Sequence, residues 1–148
     1  MLGYYKNPEA TAETFTQDGW MKTGDMGTID NEGFVFIKGR CKTMILGSSG
    51  QNIYPEEIES ALNNMPYVGE SLVIDKDGKL VALVYPNVEL VAEAKITDQQ
   101  LDEIMAENLR MLNDEQPNYA KVSNIQIFPE EFEKTPKKSI KRYLYLNN

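Results

Sequence analysis

The chain has no histidine and a single cysteine among its 148 residues. Zinc sites and nucleophiles that depend on a Ser-His or Cys-His pair are therefore excluded, and we expect no metal site in this chain. Cys41 alone cannot form an internal disulfide, which agrees with a reducing compartment. No apolar run approaches the length of a membrane helix, and the N-terminus lacks a signal-peptide pattern. These absences predict a cytoplasmic protein.

Positive charge is scarce and unevenly distributed. The net charge of −8 argues against nucleic acid as a partner, and basic and aromatic residues do not alternate before Tyr143. Five of the 15 Lys and Arg residues nevertheless lie within residues 134–142. An acidic body with one basic segment indicates a local anion site, and a solvated terminal segment explains the same charge equally well.

Residues 1–40 have the pattern of short elements separated by turns. The sequence predicts a short helix over 9–15 and short strands at 20–22, 25–30 and 33–38. Two or three short strands cannot bury a sheet by themselves. We therefore expect this segment to pack against something else, either the rest of the chain or protein that is absent from it.

Residues 41–148 have the pattern of a small α+β domain. Helices are predicted from Pro55, which suits a first turn, and from Thr97, which suits an N-cap. The apolar run Leu80–Val84 predicts a central strand. Strands are predicted at 44–46, 68–75, 79–85 and 122–128. Residues 129–148 have the composition of a polar, basic loop that leads to Ile140 and to the aromatic end Tyr143-Leu144-Tyr145. The predicted domain has three or more β-strands covered by helices.

The stretch WMKTGDMGTIDNEGFVFIKGR, residues 20–40, carries one carboxylate and one guanidinium near each other along a predicted hairpin. The carboxylate of Asp25 can accept hydrogen bonds from vicinal hydroxyls, and the guanidinium of Arg40 offers a fork to oxygen anions. The pair suits a ribose phosphate. An incidental surface ion pair is the alternative.

Five segments resemble, in this order, motifs near the end of adenylate-forming acyl-CoA synthetases, most closely the long-chain fatty-acid type. They are GYYKNPEATAETF, DGWMKTGDMG, FIKGRCKTMI, GQNIYPEEIE and KTPKKSIKR. The resemblance implies that ATP, with Mg²⁺, activates a fatty acid as its adenylate and that CoA then takes the acyl group as a thioester. It also implies that a small C-terminal domain swings between the two steps.

The resemblance also implies roles for individual residues. Asp25 resembles the acid that holds the ribose hydroxyls, and Arg40 resembles an arginine at the ribose and phosphate of the nucleotide. Lys42 falls on the hinge, although a solvated loop lysine is equally compatible with its spacing. A glycine-bearing loop matches the one that enters the active site for thioester formation, and a tight turn is its alternative. The residues assigned to this CoA loop are Ser48, Ser49 and Gly50.

One position departs from the family pattern. Ser139 stands where the catalytic lysine is expected, with Lys138 just before it and Lys141 two residues after. Lys138 is our choice for the catalytic cation. Glu57 and Glu59 resemble acids that open a helix, and we interpret them as structural.

The phosphate loop and the acyl pocket of the family cannot be read in this chain. The resemblance therefore implies that residues 1–40 end a large N-terminal domain, that 41–148 form the mobile domain, and that this fragment alone is inactive. The implied partners are that N-terminal domain, which should hold the Mg²⁺ and phosphate sites, and the substrates fatty acid, ATP and CoA. Peripheral membrane contact of the full protein is compatible with such substrates. The alternative is a stand-alone binding or interaction module with the same fold and no catalysis.

Overall fold

The computed structural model describes residues 1–47 and 49–146. The chain divides into two compact units, Met1–Lys42 and Thr43–Asn148. Within the described residues, no helix is both long and apolar enough to cross a membrane.

The first unit contains one helix and one β-hairpin. Helix α1 (Pro8–Thr14) has proline in its first turn, and strands β1 (Asp25–Ile29) and β2 (Val35–Arg40) pair antiparallel. This confirms the predicted helix and two of the predicted strands. The strand predicted at 20–22 is wrong, because that stretch contributes only an isolated bridge to Phe15.

The hairpin of the first unit has almost no buried side chains. Its large apolar side chains are more than half exposed within this structure: Ile29, Phe34, Phe36 and Ile37. A two-stranded hairpin has too little area to bury such residues by itself. Within residues 1–42 the hairpin therefore lacks a hydrophobic core.

The second unit is an α+β domain. Its elements, in chain order, are β3 (Ile45–Leu46), β4 (Asn52–Ile53), α2 (Pro55–Leu62), β5 (Val68–Lys76), β6 (Lys79–Pro86), α3 (Val88–Glu93), α4 (Asp98–Glu115) and β7 (Val122–Ile127). Strands β3 and β4 form a small ribbon. The main sheet has the order β5-β6-β7, with β5 antiparallel and β7 parallel to β6. The predicted α+β class and the central position of the Leu80–Val84 run are confirmed.

Local sequence explains most of these boundaries. The two-residue turn between β5 and β6 places Asp77 and Gly78 at φ 54° and 76°, a conformation that Asp-Gly pairs favour. Thr97 and Gln100 form a capping box at the start of α4, as the predicted cap requires. Helix α3 was not predicted, because it has only six residues and too few turns for a helical period.

The sheet is covered on both faces. Leu80, Ala82 and Val84 of β6 pack into one apolar cluster with Leu62 of α2 and Leu112 of α4. The alternate residues of β6, Val81 and Leu83, belong to a second cluster on the other face of the sheet. Its other buried members are Leu72, Ile74, Phe132 and Tyr145. The described part of residues 129–148 contains no strand and no α-helix, which confirms the predicted loop. This loop is not wholly solvated, however, because Phe132 and Tyr145 supply two buried aromatic rings to the core.

Candidate functional site

The hairpin of the first unit brings Asp25 and Arg40 together. The two residues are paired in the β1–β2 register, and Arg40 Nη1 donates to Asp25 Oδ1 over 2.6 Å. Their side chains are 29% and 62% exposed, so the ion pair itself adds little to stability. The carboxylate and the guanidinium remain accessible to a hydroxyl-rich anion. The predicted proximity of the two groups is confirmed, while their nucleotide role stays a prediction.

Lys42 and the glycine-bearing loop lie on either side of the division between the units. Lys42 is exposed and is the last residue of the first unit. In the second unit, Gly50 N donates to Gly47 O over 2.9 Å, which makes the loop a tight turn between β3 and β4. Ser49 and Gly50 are exposed, and Ser48 lies outside the described residues. The hinge role of Lys42 and the CoA role of the loop stay predictions.

A cleft of about 560 Å³ opens beside this loop, entirely within the second unit. Gly47 and Ser49 line one part of it. Lys79, at the start of β6, and Lys121, just before β7, line another part. Asp75 also lines the cleft, so its charged lining consists of two lysines and one acid and remains positive. Beside a glycine turn, such a lining suits a thin ligand that carries negative charge. Sequence reasoning missed both lysines, because residues 79 and 121 become neighbours only when β6 and β7 pair.

The C-terminal segment forms a short hairpin-like loop, which we call the Lys138 loop and define as residues 134–140. An isolated bridge joins Lys134 to Ile140, and Thr135 N donates to Ser139 O over 2.8 Å. Lys138 N in turn donates to Thr135 O over 2.8 Å, and Lys138 has a φ of 61°. The backbone of the loop is therefore defined by hydrogen bonds at its base and at its turn.

Ion pairs distinguish the cations of this segment from one another. Lys134 is paired with Glu131 and Glu70, and hydrogen bonds to these carboxylates raise the pKa of its ammonium. Lys141 is paired with Glu133, whose hydrogen bond likewise raises the pKa of that lysine.

Two other lysines of the segment are differently placed. In the parts of the chain that the structure describes, Lys137 and Lys138 form no ion pair and are exposed. Lys138 is thus placed to meet an anionic ligand, and its catalytic role stays a prediction.

Arg142, just after the Lys138 loop, forms a buried ion pair with Glu59 of α2. Arg142 Nη1 donates to both carboxylate oxygens of Glu59 over 2.8 and 2.9 Å, and Arg142 Nη2 donates to Val73 O over 3.0 Å. Glu59 also accepts from Val73 N over 2.6 Å. Burial raises the pKa of Glu59, and the hydrogen bond from Arg142 opposes that rise. The structural interpretation of Glu59 fits this geometry.

The Glu59–Arg142 pair also completes the edge of the main sheet. Strand β5 lies at the end of the sheet, and the pair bonds both the N–H and the C=O of its Val73. An open strand edge invites pairing with another chain, so covering it protects the sheet. The sequence signal for Glu59 was its helical spacing, since it shares the buried face of α2 with Pro55 and Leu62.

No cluster of three His, Cys, Asp or Glu residues in the described ranges, 1–47 and 49–146, could hold a metal ion. The described residues therefore do not fit a Mg²⁺ site.

Residues 42–148 match the model of the AMP-binding enzyme C-terminal domain. A 2-succinylbenzoate–CoA ligase of Bacillus licheniformis is 40% identical over 109 residues, covering 74% of this chain and 22% of that protein. A long-chain-fatty-acid–CoA ligase of Mycobacterium tuberculosis is 40% identical over 104 residues, covering 68% of this chain and 20% of that protein.

Among solved structures, the O-succinylbenzoate coenzyme A synthetase of Bacillus subtilis in complex with AMP is 26% identical, with a TM-score of 0.70. The match covers 97% of this chain and 27% of that one. The chain thus spans about a quarter or less of these relatives. The relatives act on different acids, so the similarity is to CoA ligases in general and not to the long-chain type alone.

Proposed function

Because this chain belongs to the AMP-binding enzyme family, as a C-terminal domain, we propose that it is the C-terminal part of an AMP-forming acid–CoA ligase. In the first step a carboxylate attacks the α-phosphorus of ATP, which forms the acyl-adenylate and releases pyrophosphate. In the second step the thiol of CoA attacks the acyl carbon, loses its proton and releases AMP. The observation that carries this proposal is the 40% identity to CoA ligases that act on two different acids.

We assign the chain to two domains of the ligase, whose boundary lies within two residues of the division between the compact units. Residues 1–40 would end the large N-terminal domain, and 41–148 would be the mobile domain with Lys42 at the hinge. The exposed apolar side chains of the β1–β2 hairpin support the first assignment, because such a face is normally covered by more protein. The phosphate loop, the Mg²⁺ site and the acyl pocket are then expected on the N-terminal domain.

We assign nucleotide recognition to Asp25 and Arg40. The Asp25 carboxylate can accept hydrogen bonds from the two ribose hydroxyls of ATP, and Arg40 can donate to its ribose or phosphate oxygens. Their contact at 2.6 Å supports the assignment, because it holds acceptor and donor at one place on the hairpin.

We assign the cation of the first step to Lys138. Negative charge develops on the phosphate oxygens in the transition state, and a positioned ammonium stabilises that charge. The absence of an ion pair at Lys138, in the part of the chain that the structure describes, supports this choice over Lys141. Ser139, at the usual position of the lysine, has a hydroxyl and cannot supply a positive charge.

The test compares two adjacent lysines in the complete ligase. Lys138→Ala should lower ATP–pyrophosphate exchange about a hundredfold, whereas Lys137→Ala should leave it within about twofold. Both residues are exposed, so neither change should affect folding. Equal exchange rates of the two variants would remove Lys138 from this role.

We assign the second step to the cleft of the second unit. The loop Gly47–Gly50, with Ser48, Ser49 and Gly50, borders the path of the CoA arm, and Lys79 and Lys121 meet the phosphates of CoA. The size of the cleft, about 560 Å³, and the two lysines that line it support this assignment.

We propose a long-chain fatty acid as the acid substrate and the cytoplasm as the location. The segments FIKGRCKTMI and KTPKKSIKR and the long-chain-fatty-acid–CoA ligase relative support the substrate. The equally similar 2-succinylbenzoate–CoA ligase makes an aromatic acid the direct competitor. Exchange assays of the complete ligase with palmitate and with 2-succinylbenzoate decide between them, and faster exchange with palmitate is expected.

Ser139 supports a second candidate, a binding module that keeps this fold without catalysis. Such a module would bind ATP without exchanging pyrophosphate with any acid. Calorimetry with ATP, run beside the exchange assay on the complete protein, separates the two functions.

A further inference from the structure

The Lys138 loop is anchored on both sides by ion pairs to other parts of the second unit. Lys134, at its start, contacts Glu70 of β5 over 2.5 Å. Arg142, after its end, contacts Glu59 of α2. The loop is thus tied at its start to the sheet and after its end to a helix.

The Arg142 anchor is the more complete of the two. Its guanidinium makes three hydrogen bonds, to both oxygens of Glu59 and to Val73 O, and it is largely buried. Nη1 of the planar guanidinium is held by Glu59 and Nη2 is held by Val73 O, which together fix its position and its orientation. The single ammonium of a lysine cannot do this.

Backbone hydrogen bonds connect Arg142 to the Lys138 loop. Lys141 N donates to Glu133 O over 2.8 Å, the bridge between Lys134 and Ile140 follows, and Thr135 N donates to Ser139 O over 2.8 Å. A shift of Arg142 therefore disturbs the ladder that holds the loop.

We propose that Arg142, held by Glu59, is a positioning residue for adenylate formation: it fixes the Lys138 loop so that the Lys138 ammonium meets the phosphate with little conformational search. The catalytic part of this proposal rests on the proposed function. Preorganisation of this kind lowers a barrier without any contact between the positioning residue and the substrate.

The first experiment needs no activity and uses the 148-residue chain. Hydrogen exchange is followed at the amides of the Lys138 loop and at those of β6 in Arg142→Lys, which keeps a positive charge beside Glu59. We expect loop amides to lose about tenfold or more in protection, with β6 amides less affected. Arg110→Met is the matched control, because it breaks the exposed Arg110–Glu107 pair and should leave the loop unchanged. Unchanged loop protection, or the same loss in both regions, would overturn the proposal.

The second experiment separates the two half-reactions in the complete ligase. Arg142→Lys keeps the charge, so it remains useful even if Arg142→Met does not fold. It should lower kcat for ATP–pyrophosphate exchange about tenfold with little change in KM for ATP. The transfer of a preformed acyl-adenylate to CoA should stay within about twofold. An equal fall in both half-reactions indicates a merely structural role and refutes positioning, as does no fall in either.

The two experiments fail in different ways. An unmodified ligase that shows no exchange refutes the proposed function and the catalytic part of the Arg142 proposal. Hydrogen exchange then still decides whether Arg142 orders the loop.

Discussion

Replacing Arg142 with methionine should destabilise the chain far more than the same change at Arg110. Both arginines contact a glutamate through two nitrogen–oxygen hydrogen bonds. They differ in environment, because the Arg110–Glu107 side chains are 69% and 51% exposed, whereas those of Arg142–Glu59 are 19% and 11% exposed. The comparison therefore contrasts a solvated arginine–glutamate pair with a buried one, which in addition satisfies the backbone carbonyl of Val73.

The expected magnitudes follow from that difference. Arg142→Met leaves a buried carboxylate without its cation and Val73 O without its donor, which should cost about 3–5 kcal/mol of unfolding free energy. Arg110→Met removes a solvated pair and should cost about 0–1 kcal/mol. Urea unfolding of the two variants and the unmodified chain measures both values.

The pH dependence gives a second signature. Burial raises the pKa of Glu59 above its usual 4.5, and without the hydrogen bond from Arg142 that pKa should rise further. Because the pKa of Glu59 is raised in the folded state, protonation of its carboxyl stabilises the fold relative to the unfolded chain. This stabilisation is complete below pH 4.5 and is lost as the pH rises through the pKa of the folded state. The deficit of Arg142→Met should therefore shrink as the pH falls from 7 towards 4.5. Equal deficits for the two arginine variants at pH 7, or a deficit that grows on acidification, would refute this reasoning.

Three further outcomes are expected from other parts of the molecule. Lys79→Ala and Lys121→Ala should each raise KM for CoA about tenfold, the effect of one lost charge-assisted hydrogen bond, without slowing ATP–pyrophosphate exchange. Gly50→Ala should cost about 1–2 kcal/mol in urea unfolding, because Gly50 has φ +82° and an added Cβ meets nothing within 4 Å, so backbone strain acts alone. Lys134 and Lys141 have pKa values raised above the usual 10.5, so stability from their ion pairs is full below 10.5 and lost above the raised values. The difference in melting temperature between the chain and Lys134→Met should therefore vanish at strongly alkaline pH.

Local patterns predicted those features whose causes are local. The apolar run Leu80–Val84 predicted the central strand, because a strand covered on both faces needs apolar side chains at every position. Thr97 predicted the start of α4, since its cap needs only the next turn of the chain. Asp25 and Arg40 could be placed together because one hairpin carries both.

Features that depend on distant pairing could not be predicted in this way. Glu59 and Arg142 are 83 positions apart, and nothing in either local pattern indicates which partner the other will have. Phe132 and Tyr145 lie on either side of the lysines of a segment whose composition suggested a polar loop, and both rings are buried. In such a segment the average polarity predicts a solvated loop, although a few apolar side chains determine how it packs.

The aromatic residues of the C-terminal segment have a consequence for shortened forms of this protein. A premature stop codon near residue 130 would remove Phe132 and Tyr145 and leave Leu72 and Leu83 uncovered on one face of the sheet. Such a product would expose an apolar surface to solvent and would also lack Lys138, which we propose as the cation of the first step. Cells should then clear it through quality control, so a nonsense mutation at this position should reduce the amount of protein.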